Sequence, residues 1–163
     1  EQLPSQPRKE HRYLATLNLA VMREVVDRVG LLDETLLRGQ DIEWTSRMTR
    51  AGYPLLFDPA ARIEHHPQRF DFEAVRKDNY RSGYYMIEVR HNHPDIFRMP
   101  KLMKQPLFLR VFKPLIALWT TLKIIFRTRE VRQQPSIFPW VYRIKKAWLD
   151  GAADRLDEMN HGR

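Results

Sequence analysis

A chain of 163 residues with a hydrophobic fraction of 43% is long enough to bury the core of one domain. The absence of cysteine excludes disulfide bonds and thiolate metal sites. The net charge of +8 is uneven, because residues 98–149 hold 12 Lys and Arg residues against one acidic residue, Glu130. That segment carries +11 and the remainder −3, which indicates a partner with a negatively charged surface.

The first half of the chain predicts short strands alternating with short helices. Apolar alternation predicts three strands, at residues 17–21, 55–58 and 62–66. The spacing of three valines predicts a helix over residues 23–29, and Gly30 is placed to end it. A second helix is predicted from about Asp41 to Ala51, with Gly52 as its stop signal.

The second half predicts helices separated by prolines. Residues 71–90 are rich in charge and tyrosine and predict one helix, after which three prolines interrupt the chain. From Leu107 to Phe126, apolar residues recur at helical spacing with Lys and Arg among them. This stretch predicts an amphipathic helix that is too charged to span a membrane. It either lies in a membrane interface, with residues 141–149 as a second contact, or packs on the globular part.

A distinctive series of residues runs from Asn18 to His66. It contains Gly30-Leu31-Leu32-Asp33-Glu34, Gln40-Asp41, Arg47, Ala51-Gly52-Tyr53, Asp58-Pro59, Ala61 and His65. This order resembles the acceptor-side half of the family 2 glycosyltransferases, which have the GT-A fold. The resemblance implies an α/β fold, the C-terminal part of a GT-A-like mixed sheet with flanking helices, followed by an amphipathic helical tail. On this basis residues 1–95 form half of a glycosyltransferase domain and residues 96–163 form the basic tail.

The resemblance also implies a reaction, the transfer of a sugar from a nucleotide-sugar donor to an acceptor hydroxyl with inversion. The chain contains no glycine loop that could cradle phosphates and no Asp-x-Asp step, which holds the metal and the diphosphate in this family. Family members carry both features in their N-terminal half. The donor-binding half is therefore expected to lie outside this chain, and this part alone is expected to be inactive.

Asp41 is the candidate catalytic base. Inverting transfer needs a group that takes the proton from the acceptor hydroxyl, and a carboxylate on a rigid element can do this. At the start of the predicted helix, the helix dipole and free backbone N–H groups stabilise a negative charge. The family motif is usually Glu-Asp, whereas this chain has Gln40-Asp41, so only the base position is kept. The structural alternative is that Asp41 merely caps the helix.

Six further residues are candidates for the site. They are Asp33, Glu34 and Trp44 for the acceptor, Asn18 and Arg47 for the donor or its phosphate, and His65 for a divalent metal. Imidazole suits Mn²⁺ among oxygen ligands, and Mg²⁺ or Mn²⁺ stabilises a leaving diphosphate. Each candidate also has a structural alternative: a turn for the two acids, core packing for the tryptophan, an ion pair for the arginine, a strand end for the asparagine and a sheet-edge hydrogen bond for the histidine.

The expected partners are a nucleotide-sugar donor, a glycan or lipid-linked acceptor, and an anionic membrane surface that the basic tail contacts. The expected location is cytoplasmic, peripheral at the inner membrane face. Two alternatives stay open, a non-catalytic membrane-surface interaction protein and a basic nucleic-acid-binding module. The second is disfavoured, because the aromatic residues of the tail follow apolar helical spacing and no nucleic-acid-binding motif appears. No nucleic-acid partner is therefore expected.

Overall fold

The computed structural model describes residues 13–58, 60–64, 66, 71–94, 97 and 99–162. The chain divides into two compact units, Glu1–His66 and Pro67–Arg163. Within the described ranges, all regular secondary structure is helical.

The first unit contains two helices joined by a loop. Its elements are a 3₁₀ turn at Thr16–Asn18, helix α1 at Arg23–Val29 and helix α2 at Gln40–Arg50. The predicted α1 is confirmed, and it ends at Gly30, whose positive φ of 79° lets its N–H bond to the carbonyl of Val26 at 2.8 Å. Helix α2 is also confirmed, and it begins after Gly39, which has a φ of 80°.

A small apolar core joins α1 to α2. Val25 from α1 packs with Trp44 and Met48 from α2, and all three side chains are buried. The buried hydroxyl of Thr45 donates to the carbonyl of Asp41 at 2.7 Å and accepts from the N–H of Leu14 at 3.1 Å. The segment before α1 is therefore tied directly to the first turns of α2.

The predicted GT-A-like mixed sheet is wrong, because the part of the chain that the structure describes contains no strand. Residues 16–18 form a 3₁₀ turn, and residues 55–58 and 62–64 have no regular structure. Apolar alternation identifies a segment that favours an extended backbone, but a strand forms only where the N–H and C=O groups of two segments pair. A side chain connects two of these regions instead, because Asn18 Nδ2 donates to the carbonyl of Ala61 at 3.1 Å.

The regular structure described for the second unit is helical. Its helices are α3 at Phe72–Asn92, α4 at Pro106–Arg127, α5 at Arg129–Arg132 and α6 at Phe138–His161, with 3₁₀ turns at Lys101–Lys104 and Pro135–Ile137. Helix α6 packs against both α3 and α4. By packing, α3 belongs with the helices that follow it, and the unit begins at Pro67. The domain boundary predicted at residue 95 rests on the resemblance and stays a prediction.

Apolar side chains and ion pairs hold α4 to α6. The buried core of this unit comprises Ile87, Leu109, Ala117, Leu149, Ala152, Ala153 and Leu156. At its edge, Arg110 lies 2.8 Å from Asp154 and 2.5 Å from Asp157, and Lys113 lies 2.5 Å from Asp150. Two of the cations on α4 are therefore engaged with carboxylates on α6.

Helices α3 and α6 approach each other backbone to backbone at two glycines. A Cβ atom at Gly83 would lie 1.9 Å from the carbonyl oxygen of Trp148, and one at Gly151 would lie 2.1 Å from the carbonyl oxygen of Tyr80. Next to this crossing, the Tyr80 hydroxyl donates to Asp154 at 2.7 Å. This hydrogen bond, together with burial, raises the pKa of Tyr80 to about 12.

Candidate functional site

A cavity of about 460 Å³ lies in the first unit, where the loop after α1 meets the first turn of α2. Its lining consists of Thr16, Leu32, Asp33, Glu34, Arg38, Gly39, Gln40 and Asp41. Three residues predicted for the site, the two acids of the loop and the candidate base, are thus brought to one cavity. Carboxylates accept hydrogen bonds from hydroxyl groups, so this lining suits a ligand that carries several hydroxyls.

Asp41 is the second residue of α2 and lies on a rigid element. Gly39 is the N-cap residue, so Asp41 lies inside the first turn and not at the cap position, although its carboxylate does accept a bond from a first-turn N–H. The carboxylate is half-buried, and its Oδ1 accepts from the N–H of Ile42 at 2.9 Å. The Thr45 hydroxyl bonds the Asp41 backbone carbonyl one turn later, which fixes the first turn of the helix. The position therefore combines a fixed backbone with a carboxylate that faces a cavity.

Asp33 shapes the loop that carries it. Its Oδ1 accepts from the N–H of Thr35 at 2.9 Å and from the hydroxyl of Thr35 at 2.6 Å, the pattern of an Asx turn. Glu34, the next residue, is exposed at the cavity. The structure thus places Asp33 in the turn itself and presents Glu34 to whatever enters the cavity.

Arg47 connects α2 to the beginning of the same loop. Its Nε lies 2.8 Å and 3.0 Å from the two carboxylate oxygens of Glu43, which is only 6% exposed. Its Nη2 donates to the carbonyl of Leu31 at 2.6 Å, and its Nη1 donates to the carbonyl of Val29. The ion pair weighed as the structural alternative for Arg47 is therefore present, but the sequence alone did not identify Glu43 as its partner. The available signal was its i,i+4 spacing from Arg47, which places the two side chains on one face of a helix.

Trp44 connects the apolar core to the start of the loop after α1. Its indole N–H donates to the carbonyl of Gly30 at 2.8 Å, and the ring is buried against Val25 and Met48. Trp44 is not among the residues that line the cavity. Together with Arg47, it fixes the end of α1 and the first residues of the loop that joins α1 to α2. This loop, residues 31–39, carries Asp33 and Glu34 and is called the acidic loop below. Both side chains therefore position the acidic loop without lining the cavity. Their predicted contacts, with the acceptor for Trp44 and with the donor or phosphate for Arg47, stay predictions.

Two predicted residues are not among those that line this cavity in the described part of the chain. Asn18 is exposed and bonded to the carbonyl of Ala61, and His65 lies outside the described residues, together with its predicted metal. Neighbouring His66 is exposed, with its Nε2 3.3 Å from Glu64. Across the described ranges, no group of three His, Cys, Asp or Glu side chains could hold a metal ion. Those residues therefore supply no ligand set for the predicted Mg²⁺ or Mn²⁺.

Comparison with known proteins identifies a partial similarity to a glycosyltransferase. Over 74 residues the chain is 40% identical to the glycosyltransferase AglE of Haloferax volcanii, a match that covers 45% of this chain and 24% of the relative. The chain thus spans about a quarter of the length of this relative. No family model matches the chain, and no solved structure matches it. Over nearly half its length, then, the chain is similar to a glycosyltransferase.

Proposed function

We propose that this chain forms the acceptor-side part of a glycosyltransferase of family 2 type, which transfers a sugar from a nucleotide-sugar donor to an acceptor hydroxyl. The observation that carries the proposal is the cavity where Asp41 meets Asp33 and Glu34. The 40% identity to a glycosyltransferase over 74 residues supports the same assignment.

In the proposed reaction Asp41 is the general base. The acceptor hydroxyl oxygen attacks the anomeric carbon of the donor sugar from the side opposite the leaving group, and its proton passes to the Asp41 carboxylate. The bond from the anomeric carbon to the diphosphate breaks in the same step, so nucleotide diphosphate leaves and the configuration inverts. A base on the first turn of α2 suits this role, because catalytic proton transfer needs a carboxylate held within about 3 Å of the hydroxyl.

The acceptor is held, in this proposal, by the acidic loop. The Glu34 carboxylate accepts hydrogen bonds from hydroxyl groups of a glycan or lipid-linked acceptor, while Asp33 keeps the turn that presents it. Arg47 and Trp44 act as positioning residues, because their bonds to the carbonyls of Leu31 and Gly30 fix the base of the loop. Placement of the reacting hydroxyl then depends on side chains that do not contact it.

A divalent metal stays a prediction for the donor side. When bound, Mg²⁺ or Mn²⁺ stabilises the charge on the leaving diphosphate. The candidate ligand His65 lies outside the described residues, and the described ones do not form a ligand set. No step on the acceptor side depends on the metal.

The test is the substitution Asp41→Asn in the full-length protein. Release of nucleotide diphosphate and transfer to the acceptor should fall by about 10²–10⁴-fold, the usual contribution of a general base. Donor binding, measured by calorimetry, should be unchanged, because the base acts on the acceptor. Asp27→Asn removes an exposed carboxylate from α1 in the same unit and should leave transfer unchanged. Transfer by the Asp41 variant at the wild-type rate would rule out this residue as the base.

A further inference from the structure

Helix α4 has a second apolar face in addition to the one it buries. Leu109, Ala117 and Thr121 are buried on the side of the helix that packs in the core with α6. The other side exposes Leu107, Val111, Phe112, Leu115, Leu118, Trp119 and Phe126. Trp119 is 69% exposed and Phe126 is 70% exposed, which are high values for large apolar side chains.

These exposed residues form one continuous stripe along the helix. They recur at spacings of three, four and seven residues, so they share one face over a length of about 28 Å. The charged residues of α4 lie off this stripe: Arg110 and Lys113 pair with aspartates of α6, and Lys123 and Arg127 lie beside the stripe near the end of the helix. An exposed apolar surface of this extent is typical of an interaction site.

Charge decides which occupant fits the stripe. The segment 98–149 carries +11, so a second copy of this chain would bring two strongly positive surfaces together. An anionic bilayer instead offers an apolar interior beneath negative headgroups. Exposed basic residues lie near both ends of the helix, at Lys101, Lys123, Arg127, Arg129 and Arg132. Tryptophan and phenylalanine on the apolar face and cations beside it are the composition of helices that lie in a membrane interface.

We propose that α4 lies flat in the interface of an anionic lipid bilayer, with its exposed apolar face among the acyl chains and the flanking cations on lipid phosphates. No described helix is long and apolar enough to cross a bilayer. The proposed contact is the exposed apolar face of α4. Membrane binding of this kind requires no glycosyltransferase activity, so it stands or falls separately from the role of Asp41.

The test is sedimentation of the chain with vesicles of phosphatidylcholine alone or mixed with phosphatidylglycerol. Binding should require the anionic lipid and should weaken with salt, because the headgroup attraction is screened. The double substitution Leu115→Ser and Trp119→Ser should lower the partition coefficient by about tenfold or more. The matched control, Leu31→Ser with Leu37→Ser, removes two equally exposed leucines from the first unit and should leave binding unchanged.

A second variant tests insertion directly. Trp119→Phe keeps an aromatic ring at that position, so vesicle binding should persist, while the blue shift of tryptophan emission on binding should largely disappear. Circular dichroism of each variant is the control for whether the helices remain folded. The proposal is overturned if the wild-type chain does not bind anionic vesicles, or if the double variant binds as tightly as the wild type. It is also overturned if the chain forms a dimer that the double variant dissociates while vesicle binding is unaffected.

Discussion

The crossing of α3 and α6 at Gly83 allows a prediction whose magnitude follows from the geometry. In Gly83→Ala the new Cβ would lie 1.9 Å from the carbonyl oxygen of Trp148, 2.7 Å from its carbonyl carbon and 3.0 Å from its Cα. Ordinary van der Waals contact begins near 3.4 Å, so the two backbones must separate by about 1.5 Å along this direction. All three atoms belong to the backbone of a helix, so no flexible side chain can move aside.

The expected cost is the difference between two opposing effects. Overpacking a rigid contact costs about 1–3 kcal/mol, and moving the helices apart adds lost dispersion contacts around the crossing, so a value of about 3 kcal/mol is expected. Alanine in place of glycine inside a helix returns about 1 kcal/mol through helix propensity. The net prediction is a loss of about 2 kcal/mol in the free energy of unfolding of the second unit.

The assay is urea denaturation followed by tryptophan fluorescence, which reports mainly on the second unit because three of the four tryptophans lie there. Gly151→Ala should behave in the same way, since its Cβ would meet the carbonyl oxygen of Tyr80 at 2.1 Å. The control Arg81→Ala alters an exposed position two residues away and should change stability by less than about 0.5 kcal/mol. A Gly83→Ala chain as stable as the wild type would show that the helices do not touch at this point.

Three further predictions concern the acidic loop and the tyrosine beside the crossing. Arg47→Ala should destabilise the first unit by about 2–4 kcal/mol, measured by thermal unfolding, because it leaves the buried Glu43 carboxylate unpaired; adding Glu43→Gln should restore part of the loss. Tyr80→Phe should cost about 1–2 kcal/mol near neutral pH, because the hydrogen bond to Asp154 is lost. Since the pKa of Tyr80 is raised from 10.0 to about 12, the stability that it contributes is complete below pH 10 and is lost as the pH rises toward 12. The difference in unfolding free energy between wild type and variant should shrink over that range, and a constant difference would contradict the shift. Glu34→Gln should raise the KM for the acceptor several-fold with little change in donor affinity, and an unchanged KM would remove Glu34 from the acceptor site.

Features encoded by near neighbours were predictable from the sequence. Helix α1 and its end at Gly30 were predicted at the observed residues, because valine spacing and a glycine C-cap act within one or two turns. The amphipathic pattern from Leu107 to Phe126 likewise predicted α4. For the site, the order of residues along the chain identified Asp33, Glu34 and Asp41 as candidates. In the structure all three line one cavity.

What depends on a distant partner was decided by the tertiary structure alone. Alternation in residues 55–58 could not show whether another segment pairs with them, and in the described chain none does so as a strand. The bonds from Arg47 to the carbonyls of Val29 and Leu31 join residues 16 to 18 positions apart, which no periodicity encodes.

The same holds for the helix faces. The sequence by itself determined that α4 is an amphipathic helix with Lys and Arg among its apolar residues. Only the packing of α6 decided which side became core and which side, with Trp119, stayed exposed. Local hydrogen bonding and side-chain spacing specify a helix, whereas the choice of its buried face is a competition among all the surfaces that could cover it.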